Sequence, residues 1–573
     1  MDFNVMKSKY YDTADLTVPH NYYPRPQLRR DSFLCLNGSW DFCQCKEGET
    51  PTFGERILVP FCVESLLSGI TRSVEKGDIL HYRRSFTLPE GFRKERVILH
   101  FGAVDQICRV YLGDRLVGEN FGGYLPFSID ITEALTDGEN ILRLEVKDDL
   151  DQRYPYGKQS KKRGGIWYTP TSGIWQTVWL ESLPESFVEG LVMSPDTEGV
   201  DIRVTGGVGH KKITLTESGE VFEFDSDTVR ITPASVRLWS PEDPYLYYFT
   251  LECGEDRIES YFALRTVDVR CIDGKERICL NGAPYIFNGM LDQGYYSDGL
   301  YTPPDIRGFV DDIRLTKSLG FNMLRKHIKV EPMIFYHLCD VEGIAVFQDM
   351  VNNGVYRFFH DSALPTIALS LQRIGDKRYN RDPEGRRIFE DCMYRTAEHL
   401  HNCPSVVYYT IFNEGWGQFC ADEMYEKLKA RGTGRILDST SGWFRKRLSD
   451  VDSRHIYWRP LKFKRPTGKA QVMSEYGGYS YRVSGHLFCE ANFGYKSFEG
   501  PEALEDAVVK LLEEQVLPLA EAGVGAFVYT QLSDVEEETN GVVTYDRQVV
   551  KVGTDRIRAA NERIIAAARK VKN

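Results

Sequence analysis

Two glutamates stand where short apolar runs end. Glu414 closes "SVVYYTIFNE" and is followed by Gly415 and Trp416, and Glu475 sits in "QVMSEYG". A carboxylate delivered to the edge of a hydrophobic core is costly unless its charge is used or paired. Two carboxylates aimed into one pocket suit glycosidic-bond hydrolysis, in which one protonates the leaving oxygen and the other attacks the anomeric carbon or activates water. A separation of about 5 to 5.5 Å would give double displacement with retention. Taken singly, each glutamate could equally be a rim residue paired with a nearby Arg or Lys. Occurring together, they point to acid–base work.

The two are 61 residues apart (475 − 414), so the fold has to bring them together. After about residue 275 the pattern alternates between strands and helices. "DIRGFVDDIRLTKSLG" places Ile306, Phe309, Val310 and Ile313 on one helical face and stops at Gly320, a good C-terminal cap. The strands read "PYIFNG", "FNMLRKH", "IAVFQDM", "SVVYYTIFNE", "RILDSTSG", "RHIYW", "QVMSEYG" and "GAFVYTQL", with helices predicted near 331–342 and 554–570. Eight strand-helix units in about 300 residues predict a (β/α)8 TIM barrel over 272–573. Glu414 then ends strand 4 and Glu475 ends strand 7, on the face where such barrels carry their chemistry. Upstream the runs are short and alternating. They predict a β jelly-roll sandwich over 1–183, with a hairpin at Gly113-Asp114, and a smaller immunoglobulin-like β-sandwich over 184–271.

Composition narrows the partners. The chain has 573 residues, 42% of them apolar, and a formal charge of −12, which argues against nucleic acid. The densest basic stretch, "GKQSKKRGG" (157–165), reads as a solvated loop. No apolar run is long enough to span a membrane, and the N-terminus has no secretory pattern, so a cytoplasmic protein is expected. Thirteen cysteines without metal spacing read as reduced and mostly buried. "HLHNC" (399–403) reads as a helix end rather than a metal cluster. No glycine-rich phosphate loop appears at a strand-to-helix turn, and "GGVGH" (206–210) fails the dinucleotide pattern.

Several stretches together resemble glycoside hydrolase family 2, the group of β-galactosidases, β-glucuronidases and β-mannosidases. "RPQLRRDSFLCLNGSWDF", "HYRRSF", "LHFGAVDQICRVYLGDRLVG" and "TSGIWQTVWLE" are similar to its sugar-binding jelly roll. "LWSPEDPYLYYFT" resembles the end of its immunoglobulin-like domain, and "LNGAPYIFNGM", "LGFNMLRKH" and "CPSVVYYTIFNEG" resemble its barrel. The resemblance implies that Glu414 is the acid/base, Glu475 the nucleophile and Asn413 the amide that bonds the sugar 2-hydroxyl. Glu414 is then expected to have the higher pKa of the two glutamates.

It also implies roles for Arg325 and His327 at the end of strand 2, although "RKH" is one residue shorter than the family's R-x-x-H. A tyrosine near the nucleophile corresponds to Tyr457, with His455 beside it. Asp349 at the end of strand 3, and Asp292 with Gln293 just past strand 1, suit either a sugar hydroxyl or a structural ion pair. Trp416, Tyr529 and Gln531 could floor the pocket or pack the barrel.

The resemblance implies no cofactor, an oligosaccharide or glycoside substrate, and a homodimer or homotetramer. The β-glucuronidase Asn-x-Lys corresponds to Asn540 and Val542, so that cationic clamp is missing, and the Glu-x-His magnesium site of large β-galactosidases is not found upstream of Glu414. The expected activity is that of a retaining, exo-acting β-galactosidase. The alternatives are a β-glucuronidase with a different clamp, for which Lys158 and Lys326 are the candidate cations, and a carbohydrate-binding protein without catalysis. The segment 371–387 is the expected lid.

Overall fold

The eight predicted barrel strands all form. In the computed structural model, which describes residues 6–357, 376–463 and 467–570, they are Phe287–Asp292 (β1), Met323–Lys326 (β2), Ala345–Asp349 (β3), Val406–Asn413 (β4), Ile436–Ser441 (β5), Val451–Ile456 (β6), Ala470–Gly477 (β7) and Ala526–Thr530 (β8). They lie side by side in the order 5-4-3-2-1-8-7-6, every pair parallel. Parallel strands need a crossover between them, and helices Arg307–Ser318, Met333–Glu342, Pro383–His399 and Ala421–Lys429 supply those from β1 to β5. Among the described residues no backbone ladder joins β5 to β6. A side-chain hydrogen bond between Ser441 and His455 crosses that seam.

The strands are buried on both faces, so they read as continuous apolar runs rather than alternating ones. Ile411, Phe412, Met473, Phe527 and Tyr529 pack outward against the helices. Phe287, Phe347, Tyr408, Val472 and Val528 fill the barrel interior. Its lower end is covered by the hairpin Val267–Ile272/Lys275–Leu280, whose Val267, Ile278 and Leu280 join that interior. The sequence pattern had assigned residues up to 271 to the second sandwich. The turn at Asp273-Gly274, left-handed at both residues (φ 52° and 70°), instead folds 267–272 back onto the segment that enters the barrel.

Two antiparallel sheets of six and four strands, from Leu34 to Leu183, enclose a core of Trp40, Tyr82, Leu99, Val110 and Leu144. The predicted Gly113-Asp114 hairpin joins Ile107–Leu112 to Arg115–Phe121. Sheets of three and four strands between Val188 and Phe262 form the second sandwich. All thirteen cysteines are free.

The loop linking Asn140–Lys147 to Val178–Leu183 is tied down by buried acids. The Ser172 hydroxyl lies 2.7 Å from both Glu64 Oε1 and Asp148 Oδ2, and its backbone N–H donates to Glu64 Oε2 at 2.9 Å. One hydroxyl proton cannot satisfy two carboxylates. Burial pushes the Glu64 carboxyl up to about 8, outweighing the Ser172 hydrogen bonds. A folded-state pKa above the unfolded one means that folding favours the protonated form. Folding is therefore penalised increasingly as pH rises from about 4.5 to about 8. Glu64→Gln, which keeps an acceptor for Ser172 N–H, is expected to be more stable than the parent by about 2 kcal/mol at pH 8. That gain should shrink toward pH 5, as read from urea unfolding at both pH values.

Candidate active site

At the C-terminal mouth of the barrel the two glutamates meet. One side-chain oxygen or nitrogen each of Glu414, Glu475 and His455 lies within 4.8 Å of the other two. β4 delivers Asn413 and Glu414, and the chain then turns sharply: Glu414 is left-handed (φ 53°), as is Gly415 (φ 80°). A Cβ at Gly415 would lie 2.1 Å from the Phe444 ring, so only glycine fits behind the carboxylate. In β7 the pairing register shifts between Met473 and Tyr476. The irregularity lets Ser474 and Glu475 both bond on the pocket side while Met473 and Tyr476 pack outward.

Arg325, only 1% exposed, organises the floor. Its guanidinium donates to Glu475 Oε1 (3.0 Å), Asp349 Oδ1 (3.0 Å), Asn413 Oδ1 (2.8 Å) and the Ser474 carbonyl (2.9 Å). With Oδ1 of Asn413 occupied, its NH2 is the part left to donate to a sugar hydroxyl. Tyr457 donates to Glu475 Oε2, and Tyr495 stacks face to face on Tyr457 with centroids 3.8 Å apart. Arg325 and Tyr457 thus hold Glu475 as an oriented carboxylate.

His327 meets Asp349 Oδ2 through Nδ1 at 2.7 Å. Burial, and then the charge of Lys158, hold His327 down at about 4. The neutral ring therefore donates through Nδ1, and its Nε2 is an acceptor suited to a hydroxyl. Burial raises the Asp349 carboxyl, but Arg325 and His327 outweigh it and bring it to about 2.

Glu414 departs from expectation. Burial raises its carboxyl, but the hydrogen bond and charge of His455, with Lys158 and Arg325, bring it below the usual carboxylate range. The sequence argument had no place for a histidine against the acid. His455 Nδ1 lies 2.7 Å from Glu414 Oε1 and 3.3 Å from Glu475 Oε2, so His455 bridges the two glutamates.

Other expected residues are placed differently. Tyr529 packs outward with Tyr476 in the barrel–helix layer, and its neighbour Thr530 bonds Tyr457 at 3.1 Å. Successive strand residues face opposite ways, so of the two places open to Tyr529 it takes the barrel packing. Asp292 is consumed by Lys326, which also pairs with Glu331, so neither is free for a sugar. Gln531 is fully buried in an amide chain, accepting from Gln293 (2.9 Å) and donating to Asn540 (2.8 Å). Val542 is buried in the barrel–helix core.

Trp416 joins Tyr156, Trp167 and Tyr356 in a cluster with ring centroids 4.6 to 6.5 Å apart, and it donates to Tyr156 at 3.2 Å. Tyr156 and Trp167 belong to the N-terminal sandwich loop, which therefore forms one wall of the mouth. The basic stretch in that loop is not simply solvated. Lys158 is only 9% exposed, because Gly157 packs against Tyr124, Tyr301 and the Ile328 carbonyl. Among the described residues the Lys158 ammonium makes no hydrogen bond or ion pair, and its charge acts on both Glu414 and His327. Of the expected lid, residues 371–375 lie outside the described residues. Asp376 accepts from the Gln418 side chain and Ala421 N–H, just beyond Glu414.

Ser441, Ser474, Tyr495, Tyr156 and Trp167 were missed. Ser441 ends β5 as Glu475 nears the end of β7, and that shared position was the only signal available for it.

Two β-sandwiches preceding a barrel, with paired glutamates at the ends of strands 4 and 7, define a multidomain TIM-barrel protein with a two-carboxylate site. Family profiles agree domain by domain. "Glycosyl hydrolase 2 galactose-binding domain-like" matches residues 72–175, "Glycosyl hydrolases family 2" matches 190–265, and its TIM barrel domain matches 273–460. The chain belongs to glycosyl hydrolase family 2.

A β-galactosidase of Thermoanaerobacter pseudethanolicus is 27% identical over 436 residues, covering 70% of this chain and 54% of that protein. A β-glucuronidase of Streptococcus agalactiae is 22% identical over 422 residues, covering 68% of each. The chain thus spans about half the length of the first of these relatives. Among solved structures, a β-glucuronidase from an uncultured Clostridium sp. superposes with a TM-score of 0.72 at 18% identity, covering 94% of this chain and 99% of its own. A β-galacturonidase of Eisenbergiella tayi gives 0.65 at 18% identity, covering 93% and 97%. At these identities the superpositions speak for the fold.

Proposed function

We propose that the chain is a retaining, exo-acting β-glycosidase. Glu475 attacks the anomeric carbon to form a glycosyl-enzyme while Glu414 protonates the leaving oxygen; water, deprotonated by Glu414, then releases the sugar. The observation that carries this reading is the closeness of the two carboxylates: one oxygen of each lies within 4.8 Å of the other. That is near the roughly 5 to 5.5 Å of retaining sites and short of the roughly 6.5 Å or more that leaves room for an attacking water. The wall built by Tyr156 and Trp167 suits a pocket for one terminal residue.

For the sugar we infer a β-galactoside. Of the two sequence relatives described above, the β-galactosidase has the higher identity, 27% against 22%, and the sequence resemblance puts Val542 where a β-glucuronidase would carry its lysine. One observation favours a second reading, a β-uronide. Lys158 is a nearly buried cation that makes no hydrogen bond or ion pair among the described residues, only a face contact with the Tyr168 ring at 5.7 Å; its charge acts on Glu414 and His327, and a substrate carboxylate would pair it.

A panel of 4-nitrophenyl β-galactoside, β-glucuronide, β-galacturonide, β-mannoside and β-glucoside decides between them. The galactoside is expected to have the highest kcat/KM, and Lys158→Met should change it by less than about tenfold. Preferred cleavage of a uronide that falls about a hundredfold in Lys158→Met would overturn the galactoside assignment in favour of the second reading, since a charge-assisted contact accounts for about 1.5 to 3 kcal/mol.

A further inference from the structure

His455 is fully buried, and each of its ring nitrogens has a partner. On one side, Nε2 lies 2.9 Å from Ser441 Oγ, which lies 2.9 Å from Ser474 Oγ, which lies 3.3 Å from the Arg454 carbonyl. A carbonyl only accepts, so Ser474 donates to it. Ser441 then donates to Ser474, and the remaining partner of Ser441 has to donate. That partner is Nε2, which therefore carries a proton. On the other side, Nδ1 lies 2.7 Å from Glu414 Oε1. A neutral ring protonated at Nε2 has a bare Nδ1, and a bare carboxylate would repel it. A hydrogen bond there requires one more proton, on the carboxyl or on the ring.

We propose that Glu414 and His455 hold one proton in common between Oε1 and Nδ1, and that His455 is the positioning residue that keeps the acid loaded. The inference rests on reading Glu414 as the acid/base. It explains how a carboxyl with a depressed pKa can still deliver a proton: the histidine stores it. In the first step this proton passes to the glycosidic oxygen as the bond to the leaving group breaks and Glu475 bonds to the anomeric carbon. In the second step Glu414 takes a proton from the attacking water as the bond to Glu475 breaks, which restores the shared proton.

Several groups around the pair bias it. Glu475 Oε2 is 3.3 Å from Nδ1 and favours keeping the proton, while Arg325 on β2 and Lys158 in the sandwich loop oppose it. The Tyr457 and Tyr495 phenols stand beside the glutamates, and burial and the nearby carboxylates hold both far above the usual tyrosine range. The Trp443 ring meets His455 edge-on at 5.5 Å.

The test compares kcat/KM against pH for wild type, His455→Asn and Ser441→Ala, using phenyl and 2,4-dinitrophenyl glycosides of the best sugar. An asparagine can donate to Glu414 but cannot carry its proton. His455→Asn should move the basic limb down by at least one pH unit. At pH 7.5 it should lose at least thirtyfold on the phenyl glycoside and under threefold on the dinitrophenyl one, whose departure needs no proton. Ser441→Ala, which removes the acceptor for Nε2–H, should move the limb the same way and carries the test if His455→Asn does not fold.

An unmoved basic limb, or equal losses on both leaving groups, overturns the proposal. Nitrogen-15 NMR of histidine-labelled protein separates its failure from failure of the functional reading. The ring signal lost on substituting His455 should show protonated Nε2 even if no glycoside is cleaved. A neutral ring protonated at Nδ1 alone overturns the shared proton.

Discussion

Glu475→Gln is expected to lose at least about 10⁴-fold in kcat on the best glycoside of the panel, because an amide cannot attack the anomeric carbon and removal of a nucleophile costs losses of this order or larger. The substitution is close to isosteric. Its carbonyl can keep the Arg325 contact at 3.0 Å, and Arg325 retains Asp349, Asn413 and the Ser474 carbonyl. Binding of the sugar should therefore survive, readable by calorimetry with the intact substrate. A second observation separates nucleophile from acid/base. With Glu475→Ala, azide can occupy the vacated side and attack the substrate once, giving an α-glycosyl azide. With Glu414→Ala, azide attacks the glycosyl-enzyme and gives the β product. The opposite pairing of variants and anomers would exchange the two assignments, and a loss below about a hundredfold in Glu475→Gln would remove Glu475 from the chemistry.

Arg325→Met is expected to be the most damaging substitution for stability at the site. The guanidinium is 1% exposed, and its removal leaves Asp349 and Glu475 buried without their principal cation. Stranding one partner of a buried ion pair costs about 3 to 5 kcal/mol. Urea unfolding should show a loss of that size. Activity should fall with it, since the same side chain fixes Glu475 and the Asn413 amide. Arg325→Lys should recover only part of both, because an ammonium lacks the planar fork that reaches several acceptors at once. Full recovery by lysine would mean that charge alone, not geometry, holds the floor together.

The barrel and the two glutamates that end its strands were legible because they are written locally. Runs such as Val406–Asn413 are too apolar for a half-exposed strand, and ending one of them in Asn-Glu is too costly to be idle. Residues set by distant partners were not legible. Asp292 and Lys326 look equally available in the sequence until the fold joins them. Lys158 sits in a run that reads as solvated, and its burial follows from the packing of Gly157 against Tyr124 and Tyr301 and its own contact with the Tyr168 ring. For Tyr529 a single step of strand alternation separates pocket floor from barrel packing, and the sequence left both open. His455 was recognised as a site residue, but its position between the two glutamates depends on the register shifts of β6 and β7, for which no residue type is diagnostic.

The loop anchored by Glu64 and Asp148 gives the molecule a division of labour. The two glutamates, Arg325 and His455 are carried by the barrel, whereas Tyr156, Trp167 and the further charge of Lys158 arrive from a sandwich with its own apolar core. Changes in that sandwich loop can thus reshape what enters the mouth while the bond-breaking groups stay where they are. Conversely, a barrel cut free of the sandwich would keep its acid pair and lose a wall.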